Sequence, residues 1–439
     1  MNITLFIVIL FGLQLFYWLV GRRASKNVTG KEDYFLAGRN VRLFPLLMTF
    51  FATQVGGGIV LGSAEEAYRF GWSVMFYPLG AALGLMLLGA GVGRKLAEFP
   101  VTTVAQILEV VYKSSLLKKA ASLLSIISLF MVLVAQIIAS QKFLVSMGFT
   151  NTALFTLFWG VVIIYTAQGG LKAVISTDIV QAGVFTVVLL GAFSLSQGSM
   201  PEALNFAATT SKLTGWLLMP LLFMVIEQDM GQRCFAGASP KIVSRATLLA
   251  GIATLIVGAI PVFFGVYAKS IGLVVPKGSS ILMAAVANSC PPWMVAFVGC
   301  AVLAAIISTA TSLINAISSN LSNDFKIAST SMRRIRWVTC IIACAAIFFA
   351  FFFDNVVDVL IQSYDLSVSC LFIPIVFAFF KKKGNFIAAT LSLLFGAIGF
   401  VMFRVFPIDF PKEVASILLS LLGFGLGSLI SRIAYVPAK

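Results

Sequence analysis

The chain has 439 residues, 60% apolar and 11% charged, with a mean hydropathy of +1.02. That composition excludes a soluble globular domain and points to a polytopic membrane protein. The net charge of +15 comes without a single histidine, which removes the commonest general base and metal ligand.

Thirteen apolar segments are long enough to span a bilayer, at roughly 3–20, 43–65, 72–97, 116–146, 151–168, 172–197, 214–236, 242–271, 293–320, 334–353, 357–380, 385–405 and 413–432. The expected fold class is therefore an all-α polytopic membrane protein with about 13 transmembrane helices in one domain. The first segment has no basic residue before its apolar core and carries Gly21-Arg22-Arg23 after it. It reads as a retained anchor with its N-terminus outside. Alternating the loops from there puts 24 of the 31 basic residues inside and 7 outside. Arg22, Arg23, Lys26, Lys31, Arg39 and Arg42 fall in the first inner loop, and Lys381, Lys382 and Lys383 in a late one. Tyr435 to Lys439 is then cytoplasmic. This bias accounts for the basic pI without a nucleic-acid partner. The short loops suit a bacterial inner membrane.

The stretch Leu46 to Trp72 begins as a span and is then interrupted. Thr49, Thr53 and Gln54 put polar groups at mid-depth, and Gly56, Gly57 and Gly58 follow. Each glycine gives up about 1 kcal/mol of helix propensity. Two readings stay open. Freed carbonyls could serve a cation at a broken helix, or small residues could allow a close helix crossing. Glu65 and Glu66, at the outer end, read as solvated near the surface.

Polar groups recur in two later spans. Glu227-Gln228-Asp229 and Gly231-Gln232-Arg233 interrupt the seventh, and only about 12 residues from Gly215 precede them, too few to cross. A broken helix is expected there. Carboxylates at such depth cost about 2.5–3.5 kcal/mol and are functional candidates by default. In the ninth, Ser308, Thr309, Thr311 and Ser312 crowd about one turn. They either bond back to the preceding turn or offer oxygens to a hard cation. Breaks in spans two and seven, five apart, fit a five-plus-five inverted repeat. The expected division is 1–42 an accessory span and cytoplasmic loop, 43–197 the first repeat, 214–380 the second, and 385–439 accessory spans. The six cysteines, Cys234, Cys290, Cys300, Cys340, Cys344 and Cys370, form no metal spacing and read as buried thiols.

Taken in order, these residues resemble the sodium:solute symporter family over essentially the whole chain. The carrying motifs are Ala52-Thr53-Gln54-Val55-Gly56-Gly57-Gly58 through Tyr68-Arg69-Phe70-Gly71, then Gly169-Gly170-Leu171, Thr177-Asp178-Ile179-Val180-Gln181, Gln232-Arg233 and Ile307-Ser308-Thr309-Ala310. The resemblance implies a LeuT-type fold and sodium-coupled symport by alternating access. It implies a sodium site made by the carbonyls of Ala52, Val55 and Ala305 and the hydroxyls of Ser308 and Thr309. It also implies that Asp178 serves sodium passage toward the cytoplasm, the alternative being a structural cap. Thr311 stands where many members have an aspartate tied to a second sodium, so none is expected there.

The run Gly56 to Glu65, with Cys290-Pro291, most resembles the choline-transporter branch. Gln54 and Glu227 stand where its two tryptophans are expected, so that aromatic cage is not intact. Gln54, Gly56, Gly57, Tyr77, Gln136, Glu227, Gln228 and Asp229 are expected to line a small polar substrate site. A cationic or zwitterionic solute is the expected cargo, with Na+ as coupling ion. Alternatives are a proton-coupled symporter or a membrane sensor that binds solute without transport. An enzyme is not expected: Glu227 and Asp229, two apart, do not face each other on a regular helix. Partners are the solute and the lipid bilayer; oligomeric state is not legible.

Overall fold

Every regular element among the described residues is a helix, as hydrocarbon demands of a spanning backbone that must satisfy its own hydrogen bonds. The computed structural model describes residues 3–26, 28–149, 152–196, 208–276, 279–327, 331–353, 356–380, 384–406 and 408–434. The basic triplet Lys381 to Lys383 and the segment Tyr435 to Lys439 lie outside them.

The chain opens with α1 (Ile3–Ser25) and the short α2 (Lys31–Leu36). Next come α3 (Leu43–Gln54), a π-helical turn at Gly58–Gly62, α4 (Ser63–Phe70), α5 (Phe76–Leu87), α6 (Gly93–Glu98) and α7 (Val104–Tyr112). Long helices follow: α8 (Ser115–Ser146), α9 (Thr152–Leu195), the pair α10 (Thr210–Ile226) and α11 (Gln228–Ala236), and α12 (Pro240–Ser270). The last are α13 (Ile281–Ser289), α14 (Pro292–Asn323), α15 (Met332–Ala350), α16 (Val356–Phe380), α17 (Phe386–Val405) and α18 (Lys412–Ala434).

Among the described residues, nine helices are long and apolar enough to cross a membrane, ten if α10 and α11 form one span bent by 45°. The thirteen segments expected from the sequence exceed that number for identifiable reasons. Two of the nine are 41-residue stretches, Gly58–Glu98 and Phe155–Leu195. Each contains a glycine at positive φ, Gly71 (φ 65°, ψ −148°) and Gly170 (φ 55°, ψ −147°). Only glycine occupies that region at low cost, so the chain turns a corner there. At Gly170 a Cβ would also run into the Tyr34 ring and backbone. The helix α3 has only 12 residues, and α15 carries Arg333, Arg334 and Arg336 in its first turns.

The helix that carries the hydroxyl cluster sits innermost. The apolar window of α14 is 94% buried within the protein, against 22% for α1 and 28% for each of α17 and α18. α14 lies against α8 and α9, while α17 and α18 pair with each other at the periphery. Small residues let α14 pack this tightly: Ala301, Ala304, Ala305, Ala310 and Ala316 are all buried. Four cysteines are buried as expected, but Cys340 is half-buried and Cys344 exposed.

Candidate functional site

The first break begins one residue before the glycines. α3 ends at Gln54, and Val55 leaves the helix with φ −85° and ψ 73°. The Gly56 N–H returns to the Gln54 carbonyl, and the helix resumes where Val60 N bonds Gly56 O. None of the three glycines has positive φ. They are needed for space. A Cβ on Gly57 would lie 2.6 Å from Ala139 Cβ, and one on Gly58 2.7 Å from the Tyr77 hydroxyl. One on Gly56 would lie 2.8 Å from Gln136 Oε1 and closer still to the Thr309 hydroxyl. The broken helix and the close crossing are thus one feature. Glycine lets α8, α14 and Tyr77 approach a backbone that has already left its helix.

At the break, α14 meets α3. Ser308 Oγ donates to Ala52 O at 2.9 Å and lies 2.8 Å from Ala305 O. Thr309 Oγ1 donates to Thr53 O at 2.9 Å, with Ala305 O at 3.3 Å and Ala52 O at 3.5 Å. Three carbonyls and two hydroxyls therefore converge. Ala52, Ala305, Ser308 and Thr309 come together. Val55 sits at the break but receives neither hydroxyl. The Thr53 carbonyl, which was not among the expected residues, accepts the Thr309 hydroxyl instead. An all-oxygen neutral set of this kind fits a hard monovalent cation.

Beside it is a cavity with about 20 Å³ of free volume, room for one water. Gln54, Gly56, Tyr77, Gln136 and Asp229 line it, with Thr53 and Thr309 on the ion-site wall. Gly57 N–H donates to Gln136 Oε1 at 2.7 Å, which fixes that amide at the break. Aromatic lining that the sequence pattern did not reveal comes from Phe223 and Tyr364, whose rings are 4.2 Å apart.

Three expected lining residues lie elsewhere: Gly57 packs against Ala139 while Gly58 takes the cavity wall, and Gln228 and Glu227 turn away. Gln228 faces α7: its Oε1 accepts from Val104 N at 2.8 Å and its Nε2 donates to Thr102 O at 3.1 Å. Glu227 ends α10 with φ −84° and ψ 151°, and its carboxylate turns to Ser125 at 2.8 Å. The break at Glu227 turns the three side chains toward α8, α7 and the cavity in turn, and Asp229 alone reaches the cavity. Glu66 also differs from expectation. It is 3% exposed and paired with Arg69 at 3.5 Å and Lys212 at 3.8 Å.

Asp178 is fully buried on α9. It accepts from Thr49 at 2.5 Å and faces Arg233 at 3.6 Å. Arg233, equally buried, donates to Thr49 at 3.0 Å, to Asp229 O at 2.8 Å and to Ser312 at 2.5 Å. Four helices, α3, α9, α11 and α14, are tied through this one guanidinium. Breaking such a buried pair strands the remaining charge; here Thr49 bridges Asp178 Oδ2 and Arg233, while Asp178 Oδ1 makes no hydrogen bond.

Comparisons with known proteins agree with this architecture. The family model described as sodium:solute symporter family matches residues 34–214 and 200–396. The sodium/pantothenate symporter of Haemophilus influenzae is 27% identical over 219 residues, covering 48% of this chain and 43% of the relative. The high-affinity choline transporter 1 of Torpedo marmorata is 27% identical over 387 residues, covering 76% of this chain and 64% of the relative. These matches span less than two thirds of either relative's length. A solved Na+-coupled sialic acid symporter, substrate-bound and outward-open, superposes with TM-score 0.79 at 18% identity, covering 99% of this chain and 98% of that one. That likeness is one of fold.

Proposed function

The chain belongs to the sodium:solute symporter family, a family of transporters and not of enzymes, and from that premise we propose that it is a sodium-coupled symporter for a small cationic or zwitterionic organic solute. Sodium is cargo here, carried with the solute. The observation that carries the reading is the junction of α3 and α14, where the carbonyls of Ala52, Thr53 and Ala305 meet the hydroxyls of Ser308 and Thr309. The ion site and the solute cavity share Thr53 and Thr309, so filling one reshapes the wall of the other. This contact is the physical basis of coupling: each ligand stabilises the arrangement that the other needs.

For the solute, Asp229 supplies the one negative charge on the cavity wall, and Tyr77, Phe223 and Tyr364 supply aromatic faces. A carboxylate with aromatic faces suits an ammonium group. These aromatics take the part of the tryptophans absent at Gln54 and Glu227. The cavity is too small for such a solute, so binding requires the helix halves to part around the breaks. Thirteen spans, the inverted repeat over 43–197 and 214–380, an outside N-terminus and a bacterial inner membrane complete the proposal.

The test is uptake of labelled choline into proteoliposomes under an inward sodium gradient. Sodium-driven accumulation that potassium does not support, reduced at least tenfold by Asp229→Asn, is expected. Binding without accumulation would identify a sensor. Accumulation driven by a pH gradient in sodium-free buffer would identify proton coupling.

A further inference from the structure

Glu227 is a buried carboxylate without a counter-charge. It is 1% exposed, and among the described residues no ion pair includes it. Its charged neighbour is Asp229, of the same sign. Its Oε2 accepts from Ser125 Oγ at 2.8 Å and from the Gln228 N–H at 3.3 Å, while Oε1 has no partner. Ser125 in turn accepts from Asn320 Nδ2 at 3.2 Å, which leaves Asn320 Oδ1 free. The Ser367 hydroxyl, on α16, faces the Glu227 carboxylate and bonds no other group among the described residues. Asn320 is 1% exposed and Ser367 fully buried. Unpartnered buried oxygens cost about 1–3 kcal/mol each. Unpartnered oxygens on Glu227 and Asn320, with the Ser367 hydroxyl against a carboxylate that has no counter-charge, describe a place made for a positive charge.

We propose that Glu227, Asn320 and Ser367 form a second sodium site, with Ser125 as the residue that orients the carboxylate. One carboxylate with neutral oxygens matches a monovalent hard cation; a divalent ion would call for more negative charge. This site is separate from the α3–α14 junction. Asn320 lies twelve residues beyond Ser308 on α14, about 18 Å along the axis at 1.5 Å per residue.

A polar track leads away from it. One turn on along α14 is Asp324, 2% exposed, whose carboxylate accepts from Thr103 at 2.7 Å. One turn back along α8 is Ser122, fully buried and facing Asp324. The next turn brings Lys118, paired with Glu109 at 2.6 Å, where Glu109 is 38% exposed. Spacings of three and four keep these side chains on facing stripes of α8 and α14. The track gives an ion at Glu227 a route to one membrane face that avoids the solute cavity.

The experiment is equilibrium binding of 22Na+ to the purified full chain in detergent. The parent is expected to bind two ions per chain and Glu227→Gln one. Ser367→Ala, which keeps the charge and is the milder change, should weaken the second ion about tenfold. The double variant Ser308→Ala/Thr309→Ala should retain the ion at Glu227. A parent that binds one ion, or a Glu227→Gln variant that still binds two, overturns the proposal. If Glu227→Gln loses one ion while the double variant still binds two, the junction site fails and this one stands.

Discussion

Ser308 and Thr309 act differently with and without sodium, and the difference sets the size of the effect. With sodium bound, each hydroxyl is a ligand to a charge, worth about 1.5–3 kcal/mol. Without it, Ser308 satisfies Ala52 O at 2.9 Å and Thr309 satisfies Thr53 O at 2.9 Å, neutral bonds worth about 0.5–1.5 kcal/mol each. Truncation to Ala removes both, so the loss in sodium affinity is the difference, about 1–1.5 kcal/mol per hydroxyl. At about 1.4 kcal/mol per tenfold this raises the half-saturating sodium about 5- to 12-fold for either single variant. Thr311 provides the control. Its hydroxyl donates to Ser308 O at 3.1 Å within α14, so Thr311→Ala should leave sodium dependence within about twofold. The assay is a sodium titration of thermal stability in potassium-balanced buffer, since a bound ion raises the melting temperature by mass action. Half-saturation unchanged in both Ser308→Ala and Thr309→Ala, or shifted as far by Thr311→Ala, would refute the assignment.

Other outcomes follow from the same packing. Gly57→Ala sets a methyl 2.6 Å from Ala139 Cβ and should cost about 1–3 kcal/mol, read as a lower midpoint in chemical unfolding; parental stability would mean the crossing is looser than described. Arg233→Met strands Asp178 and should destabilise by about 3–5 kcal/mol. Adding Asp178→Asn should recover part of that loss, and strictly additive losses in the same unfolding assay would mean the two do not act as a pair. If Asp178 also serves sodium passage, Asp178→Asn should slow solute turnover more than it weakens solute binding; unchanged turnover leaves Asp178 as a strut alone. Gln228→Leu removes the acceptor for Val104 N and should cost about 1–3 kcal/mol. Hydrogen exchange at the Val104 amide should quicken while solute affinity holds, and a loss of affinity would return Gln228 to the binding site.

Composition and hydropathy alone determined that this chain lives in a membrane, because no soluble core can absorb so apolar a sequence. Local sequence also located both interruptions. A glycine run after Gln54, and carboxylates too deep to be headgroup residues at Glu227 and Asp229, each mark a place where a helix cannot continue at low cost. The residues of α14 that meet the first break were legible from their spacing, since Ser308 and Thr309 follow Ala305 by three and four positions. What the sequence could not decide was direction. Glu227, Gln228 and Asp229 are adjacent in the chain, but an extended residue between two helices turns their side chains toward α8, α7 and the cavity respectively. Nor could it show that Arg233 reaches Asp178, 55 positions away in sequence, or that Phe223 and Tyr364 face the same cavity from α10 and α16. Side-chain identity fixes which chemistry is available. Only the packing of non-adjacent helices fixes which groups meet, because a break changes the helical phase of everything that follows it.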